Sequence, residues 1–393
     1  MKKILLMATA LSLMATTTEA KLFSVHVVQG SLNETRGFDS VIDVFDHYED
    51  GLKSIFSTYS TTTASATTLD FRGIKMNLNF DSSHRLNFLV PSLGINETFN
   101  GGSQQASFNL FKDYLKSNKD GLLKRILKSS VADTPYDMVA GNPNSLMATM
   151  ADDTFQRGGG GILGNFVSYL SPDASTHYFK FNGDNKKATV YSLPMGKTFK
   201  FGNGSALMLD LPISYTDLDG SRSYQVQLGL GYMIPVVKSD KIQWHLTPSV
   251  RAGAVGSEDM LSGGILYTGS LTSNVKIPIG EVTFGMTNMV GYIKDFSIKV
   301  ADYEVEYDLK NMVYKNGLSL NYALNDKWNA GGSYNYTFYT GSDLFIKDYH
   351  DVNFALSRKF REGSYFSGIA FVGNYSFNDK DYHAYRIGVN FLF

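Results

Sequence analysis

From about His177 onward the chain alternates apolar and polar residues through segments of about 11 to 15, and few folds accommodate so long a two-residue period. In Tyr224–Ile234, Tyr224, Val226, Leu228, Leu230, Tyr232 and Ile234 share one face. Gln225, Gln227, Gly229, Gly231 and Met233 share the other, because successive strand side chains point oppositely. Trp328–Thr340 repeats the pattern, with Trp328, Tyr334, Tyr336 and Phe338 set against Asn329, Ser333, Asn335 and Thr337. A water-soluble sandwich also alternates, but its strands are usually about 5–6 residues long, against about 9–11 for a tilted membrane strand. Its inner face is also dry, whereas Gly, Ser, Thr, Asn and Gln dominate one face here. The pattern predicts an antiparallel transmembrane β-barrel over residues 162–393, with about twelve strands near 176–182, 188–200, 205–216, 222–236, 241–254, 260–276, 280–293, 310–324, 328–340, 348–360, 363–377 and 382–393.

The connections alternate in length. Gly202–Gly204, Lys238–Asp240, Pro278-Ile279, Asn325–Lys327 and Arg361–Gly363 are tight, whereas Val255–Asp259, Asp295–Leu309 and Gly341–Lys347 are longer. Short turns belong on the periplasmic side of such barrels, so both barrel ends are expected there. About three-quarters of the 24 tyrosines lie from Tyr191 onward, as aromatic girdles require. In the last segment Tyr385, Ile387, Val389, Phe391 and the terminal Phe393 share a face, and resemble the signal read by the machinery that assembles outer-membrane barrels. A free edge strand of this kind can add to the sheet of a partner.

Met1-Lys2-Lys3, an apolar run from Ile4 to about Ala15 and Thr18-Glu19-Ala20 form the three parts of a secretory signal. Cleavage is expected between Ala20 and Lys21, after passage through the secretion translocon. That run is too short for a spanning helix, which needs about 20 residues. The formal net charge of −1 gives no field that would draw nucleic acid, and with no cysteine there is no disulfide framework or thiolate metal site.

Residues 21–143 read as a small α+β domain. A helical stretch runs from Val41 to Phe56, and a Thr/Ser/Ala-rich link covers Thr58–Thr68. Leu69–Phe80 and Arg85–Pro91 are expected as two strands, and Ala106–Val131 as an amphipathic helix pair. Asn142-Pro143-Asn144-Ser145 starts a further helix through Phe155, with Pro143 suited to a first turn. Gly158–Gly161 then reads as a flexible hinge, which makes residues 144–161 a helix and glycine-rich link with a place in the lumen.

Signal peptide, non-barrel segment, helix and a C-terminal barrel of about twelve strands together resemble the autotransporter family, in a short, solitary form. The resemblance covers roughly residues 144–393 and rests on this order, the strand number and Phe393. It implies a translocator barrel with the Asn144–Gln156 helix threading its lumen. The first half lacks the repetitive pattern of a long β-helical passenger.

No compact histidine cluster marks a metal site, and Gly158–Gly161 lacks the Lys-Ser/Thr of a phosphate loop, so no cofactor, metal or catalytic residue is assigned. His350-Asp351 beside Ser357 matches no hydrolase constellation, and a loop or lumen histidine is the plainer reading. The acidic stretch Asp302–Asp308 has the ligands for a divalent cation, but a solvated loop or an extra-membrane hairpin is the plainer reading. His245, Arg251, Lys276, Glu281 and Arg386 are candidate lumen-lining residues, since charges facing lipid cost several kcal/mol near the midplane. The function expected is a non-enzymatic bacterial outer-membrane protein, set in outer-membrane lipid, whose autotransporter-like barrel anchors or displays the small N-terminal domain. The alternative is a narrow channel for small polar solutes with a periplasmic domain.

Overall fold

The computed structural model describes residues 21–393 apart from 50, 118–120, 161–167, 301–302, 362–363 and 380–381. The signal segment with Ala20, and Gly161, lie outside the described residues. Twelve antiparallel strands close into a barrel. The first is Tyr169–Leu170 continued by Asp173–Phe181, and the last, Tyr382–Leu392, pairs back onto it from Phe179↔Tyr382 to Asp173↔Gly388 and again at Leu170↔Phe391. The second (Asp184–Leu193, Met195–Lys200) and third (Ala206–Asp210, Ile213–Leu218) are likewise each in two parts. All three interruptions fall at a proline, which has no N–H for the ladder. Neighbouring strands satisfy the local carbonyls: Ser171 N–H donates to Pro194 O at 2.8 Å and Gln227 N–H to Pro212 O at 2.9 Å. The remaining strands are unbroken: Ser221–Lys238, Gln243–Ser257, Ser262–Ile279, Val282–Phe296, Lys310–Ala323, Trp328–Gly341, Asp348–Lys359 and Gly368–Phe377.

The alternation sorts the two faces as a membrane requires. Tyr224, Val226, Leu228 and Leu230 are exposed on the outside, while Ser223, Gln225 and Gln227 are buried inside. An unbroken chain of ring contacts runs around one rim, from Tyr314 through Phe338, Tyr336, His350, Phe377, Tyr375, Tyr385 and His383 to Tyr178. His350 therefore belongs to an outward-facing aromatic girdle and not to a loop or the lumen. At the other rim Phe393 packs 5.1 Å from Phe366 and 6.0 Å from Tyr365.

The N-terminal domain is richer in strands than its sequence suggests. A six-stranded antiparallel sheet has the order β2-β1-β3-β4-β5-β6, from β1 (Phe23–Gln29), β2 (Leu32–Phe38), β3 (Ala66–Phe71), β4 (Ile74–Phe80), β5 (Leu86–Val90) and β6 (Ile95–Phe99). The expected single strand Leu69–Phe80 is a hairpin, because Arg72 and Gly73 take positive φ and Asp70 accepts the Gly73 N–H. Alternation in both arms conceals the turn. Helix α1 (Val41–Glu49) stops earlier than expected, and Gly51 and Leu52 follow at positive φ. Helices α2 (Gln104–Lys116) and α3 (Leu122–Asp133) form the amphipathic pair. Their apolar side chains share a core with Val25, Leu78 and Phe88 on one face of the sheet, where Phe88 and Phe111 rings lie 4.6 Å apart.

The domain stands on one rim of the barrel, at the turns 181–184, 218–221, 257–262, 296–310 and 341–348. The C-terminus and the turns near 202, 240, 280 and 326 lie at the other. Two links at the domain end, Asn182-Gly183 and Asp219-Gly220, are as tight as any at the opposite end. The domain accounts for this: Ser221 Oγ donates to Asp39 O at 2.5 Å, and Gly73 abuts the ring of Phe181. The link through Asp308 holds a short extra-membrane hairpin, Ile298–Val300 paired with Tyr303–Val305, and its acidic side chains are part-exposed and docked on the domain. Lys124 and Lys128 of α3 pair with Glu306 and Asp308 at 2.8 and 3.5 Å.

Candidate functional site

Helix α4 (Leu146–Phe155) fills the lumen. Ser145 is its N-cap and accepts from the Ala148 N–H, so Pro143 precedes the helix and is not in its first turn. Leu146, Met147, Met150, Ala151 and Phe155 are all at most 2% exposed although the helix is surrounded by a polar wall. Glycines on inward positions make room for it. A Cβ at Gly253 would lie 2.8 Å from Leu146, and one at Gly317 would lie 2.8 Å from Phe155. The Arg157–Gly159 turn closes against the wall in the same way, with Thr272 2.6 Å and Asn274 2.8 Å from the Cβ positions of Gly158 and Gly159. Close packing, rather than hinge flexibility, explains these two glycines.

Polar groups fix the helix on opposite sides. Lys315 reaches Asp152 of α4 at 2.6 Å and Asp351 of the wall at 2.8 Å; Tyr349 Oη also donates to Asp152 and Ser376 Oγ to Asp351. Arg251 pairs with Asp210 at 2.5 Å, and donates to Thr154 of α4 at 2.9 Å and to Gln227 at 3.2 Å. Gln227 donates to Thr149 on the helix at 3.0 Å. Beyond the helix, Arg157 donates to the carbonyls of Lys197 and Leu209 and to Thr198. Such buried charges are tolerable because each has an opposite charge or a hydrogen-bond partner.

A second polar knot joins the lumen to the domain. Arg72 and Asp137 form a 2.8 Å ion pair with neither side chain exposed. Asp137 also accepts from Tyr307 at 3.1 Å, from Ser130 at 3.2 Å and from the Val139 N–H at 2.8 Å. Burial first, and the Asp137 charge next, push the Tyr307 phenol up, so it stays protonated and donates. Sheet, pre-helix segment and barrel loop meet at this carboxylate.

Of the residues proposed from sequence, Arg251 grips the helix as above. Arg386 lines a small polar cavity with Asp152, His177, Lys315 and Asn353, and lies 3.9 Å from Asp173. His245 and Lys276 share the inward parity of the buried Thr247 and Asn274, near the C-terminal end of the barrel. Glu281 is exposed in the turn after Gly280, at the rim. Tyr385 and Ile387 are exposed to the outside, with Phe393 at the rim. Sequence reasoning missed Asp152, Lys315, Asp351 and Asp210. Parity held the signal for the wall residues, since each occupies an inward position of an alternating strand where a lipid-facing charge would be costly.

A closed antiparallel barrel with an apolar outside, aromatic rims and a polar inside defines a transmembrane β-barrel of the bacterial outer membrane. Among solved structures, the chain is similar to the translocator domain of the autotransporter NalP from Neisseria meningitidis, at 13% identity and a TM-score of 0.41 over 63% of this chain and 96% of that one. It is also similar to the transport unit of the autotransporter AIDA-I from Escherichia coli (7%, 0.40, 58% and 90%) and to the NanC porin (13%, 0.35, 56% and 98%). No family model matches the chain, and no curated protein sequence does. The likeness is one of barrel shape alone.

Proposed function

We propose that the barrel anchors the protein in the outer membrane and displays its N-terminal domain at the cell surface, with α4 as the tether through the lumen. One observation carries the reading: the domain stands on the rim opposite the C-terminus, and the chain between them runs through the barrel as α4. With the C-terminus and its tight turns periplasmic, the domain faces outward. The reading involves no catalytic step. The rival solute channel is disfavoured by a lumen occupied by the chain's own helix.

Because the chain has no cysteine, a single one reports topology cleanly. Ser82→Cys, exposed in the β4–β5 turn, is expected to react with a membrane-impermeant maleimide on intact cells. Asp326→Cys, exposed at the other end, is expected to react only after the outer membrane is opened. The reverse pattern would overturn the proposal.

A further inference from the structure

We propose that the C-terminal rim of the barrel carries a site for an anionic glycerophospholipid, whose phosphodiester is held at the corner formed by the turns 324–327 and 360–367. The leaflet that supplies the lipid rests on the display topology; the binding itself does not.

The two turns lie side by side, since Lys359 N–H donates to Lys327 O at 2.8 Å and Phe360 N–H to Ser367 O at 2.9 Å. Register sets Trp328 opposite Arg358. Both share the outward parity of Tyr334, Val352 and Phe354, which are exposed on the lipid-facing side. The Arg358 guanidinium lies 5.5 Å over the Trp328 ring, so one face of it is covered by the indole while its N–H edge points elsewhere. Tyr365, 84% exposed, packs on Phe366 at 5.0 Å and completes an aromatic border with Phe393. Such aromatic belts mark the depth of the lipid headgroups. The outward groups of this corner therefore meet the headgroup layer and not open water, and the membrane itself decides what covers them.

Charge decides which headgroup. Lys327, Arg358, Lys359 and Arg361 are all exposed, and among the described residues none of them has an ion-pair partner. The acids in the sequence of these turns are Asp326 and Glu362, so the corner keeps a positive excess. The domain end is different. There Arg222 pairs with Asp259 at 3.2 Å, Lys310 with Asp308 at 2.9 Å and Lys347 with Asp343 at 2.9 Å. Cations at this corner are left for an anion from outside the chain. A guanidinium fork held flat on an indole suits the two free oxygens of a phosphodiester, and Lys327 and Arg361 add charge on either side. Lys359 has the inward parity of Ala355 and contributes field at the mouth of the lumen, without contact with lipid. A zwitterionic lipid offers the same phosphodiester but brings an ammonium group that these cations repel. Lipopolysaccharide occupies the opposite leaflet of an outer membrane, whereas this rim, with the C-terminus, is the periplasmic one.

Trp244 and Trp328 are the two tryptophans of the chain, so Trp244→Phe leaves Trp328 as a reporter inside the site. The full-length protein is reconstituted in phosphatidylcholine vesicles holding brominated phosphatidylglycerol or, at the same fraction, brominated phosphatidylcholine. Contact quenching of Trp328 then gives the relative association of the two lipids. Phosphatidylglycerol is expected to be preferred roughly fivefold at low salt, and less as salt screens the charges. Lys327→Gln/Arg358→Gln/Arg361→Gln should bring the ratio to about one while keeping the heat-modifiable mobility of a folded barrel. With Trp328→Phe, Trp244 reports from another part of the same rim and should show a weaker preference. No preference at Trp328, an unaffected triple variant, or an equal preference at Trp244 would each overturn the proposal. Quenching in vesicles reads binding whichever end of the barrel is periplasmic, so its failure and a failure of the display reading are distinguishable.

Discussion

Replacing Lys315 by methionine tests whether α4 is held in the lumen by charge. The ammonium is 3% exposed and sits between Asp152 of the helix and Asp351 of the wall, at 2.6 and 2.8 Å. Methionine keeps most of the volume but leaves two carboxylates facing each other, one on the tether and one on the barrel. Stranding a buried charge costs about 3–5 kcal/mol. Tyr349 and Ser376 still donate to the two carboxylates, and each such bond offsets about 1 kcal/mol. A net loss of about 1–3 kcal/mol in helix seating corresponds to a roughly 5- to 140-fold rise in the population with the lumen open. Planar-bilayer recording of the full-length protein reads that population as the fraction of time spent conducting. Lys315→Met/Asp152→Asn removes the carboxylate from the helix side and should return most of the effect. A folded Lys315→Met protein that conducts no more than wild type, or a double variant that conducts more than the single, would refute the reasoning.

Gly253→Leu drives a side chain into Leu146 and Met150, at an overpacking cost of about 1–3 kcal/mol, and should also raise bilayer conductance. Gly256→Leu, on the same strand at the opposite parity with nothing within 4 Å of its Cβ, should leave conductance unchanged. The Asp308 carboxyl is held below its ordinary value first by the Lys310 hydrogen bond and further by the Lys124 and Lys128 charges. A depressed folded value means that this contribution to loop docking is full above the unfolded value and lost as pH falls through the folded one. Hydrogen exchange of residues 303–309, corrected for intrinsic rate, should therefore match at pH 7 and pH 5 and accelerate only below about pH 4. Acceleration already at pH 5 would contradict it. Deleting Phe393 removes its contacts with Tyr365 and Phe366 and the end of the terminal strand, and should reduce the heat-modifiable barrel recovered from membranes; normal recovery would count against its role in assembly.

The barrel was legible because one physical demand, lipid outside and water inside, is imposed on every strand and writes a period of two over long segments. The expected strand at 222–236 is Ser221–Lys238, and that at 328–340 is Trp328–Gly341. The expected first strand begins at 176, whereas the observed one runs from Tyr169–Leu170 across Pro172 to Phe181, and sequence gives no view of the neighbouring strand that bridges the interruption. The N-terminal sheet was harder. β1, Phe23–Gln29, is only seven residues long, and the β3–β4 turn is two residues within an alternating run. The expected long external loops failed on two links for a tertiary reason: the domain resting on them takes the place of water.

The lumen was half legible, and the missing half shows what one sequence withholds. Arg251 stands out because a charge amid alternation must face inward, and the same parity argument would have reached Lys315, Asp351 and Asp210, which the sequence reading passed over. Which of them meet was not available, since Lys315 and Asp152 are 163 positions apart and are paired by the height at which the helix comes to rest. The glycines make the same point more sharply. Gly253 and Gly317 look in sequence like the other small inward residues of a wet barrel. Their meaning appears only when a helix is present, because the wall must be thinned where Leu146 and Phe155 pass. A barrel evolved to conduct would gain nothing from apolar side chains in its lumen, whereas one that must hold its own chain needs a fitted bed for them. The match of small wall residues to large helix residues, with charges pinning two sides, is therefore stronger support for a tether than strand number or overall barrel shape.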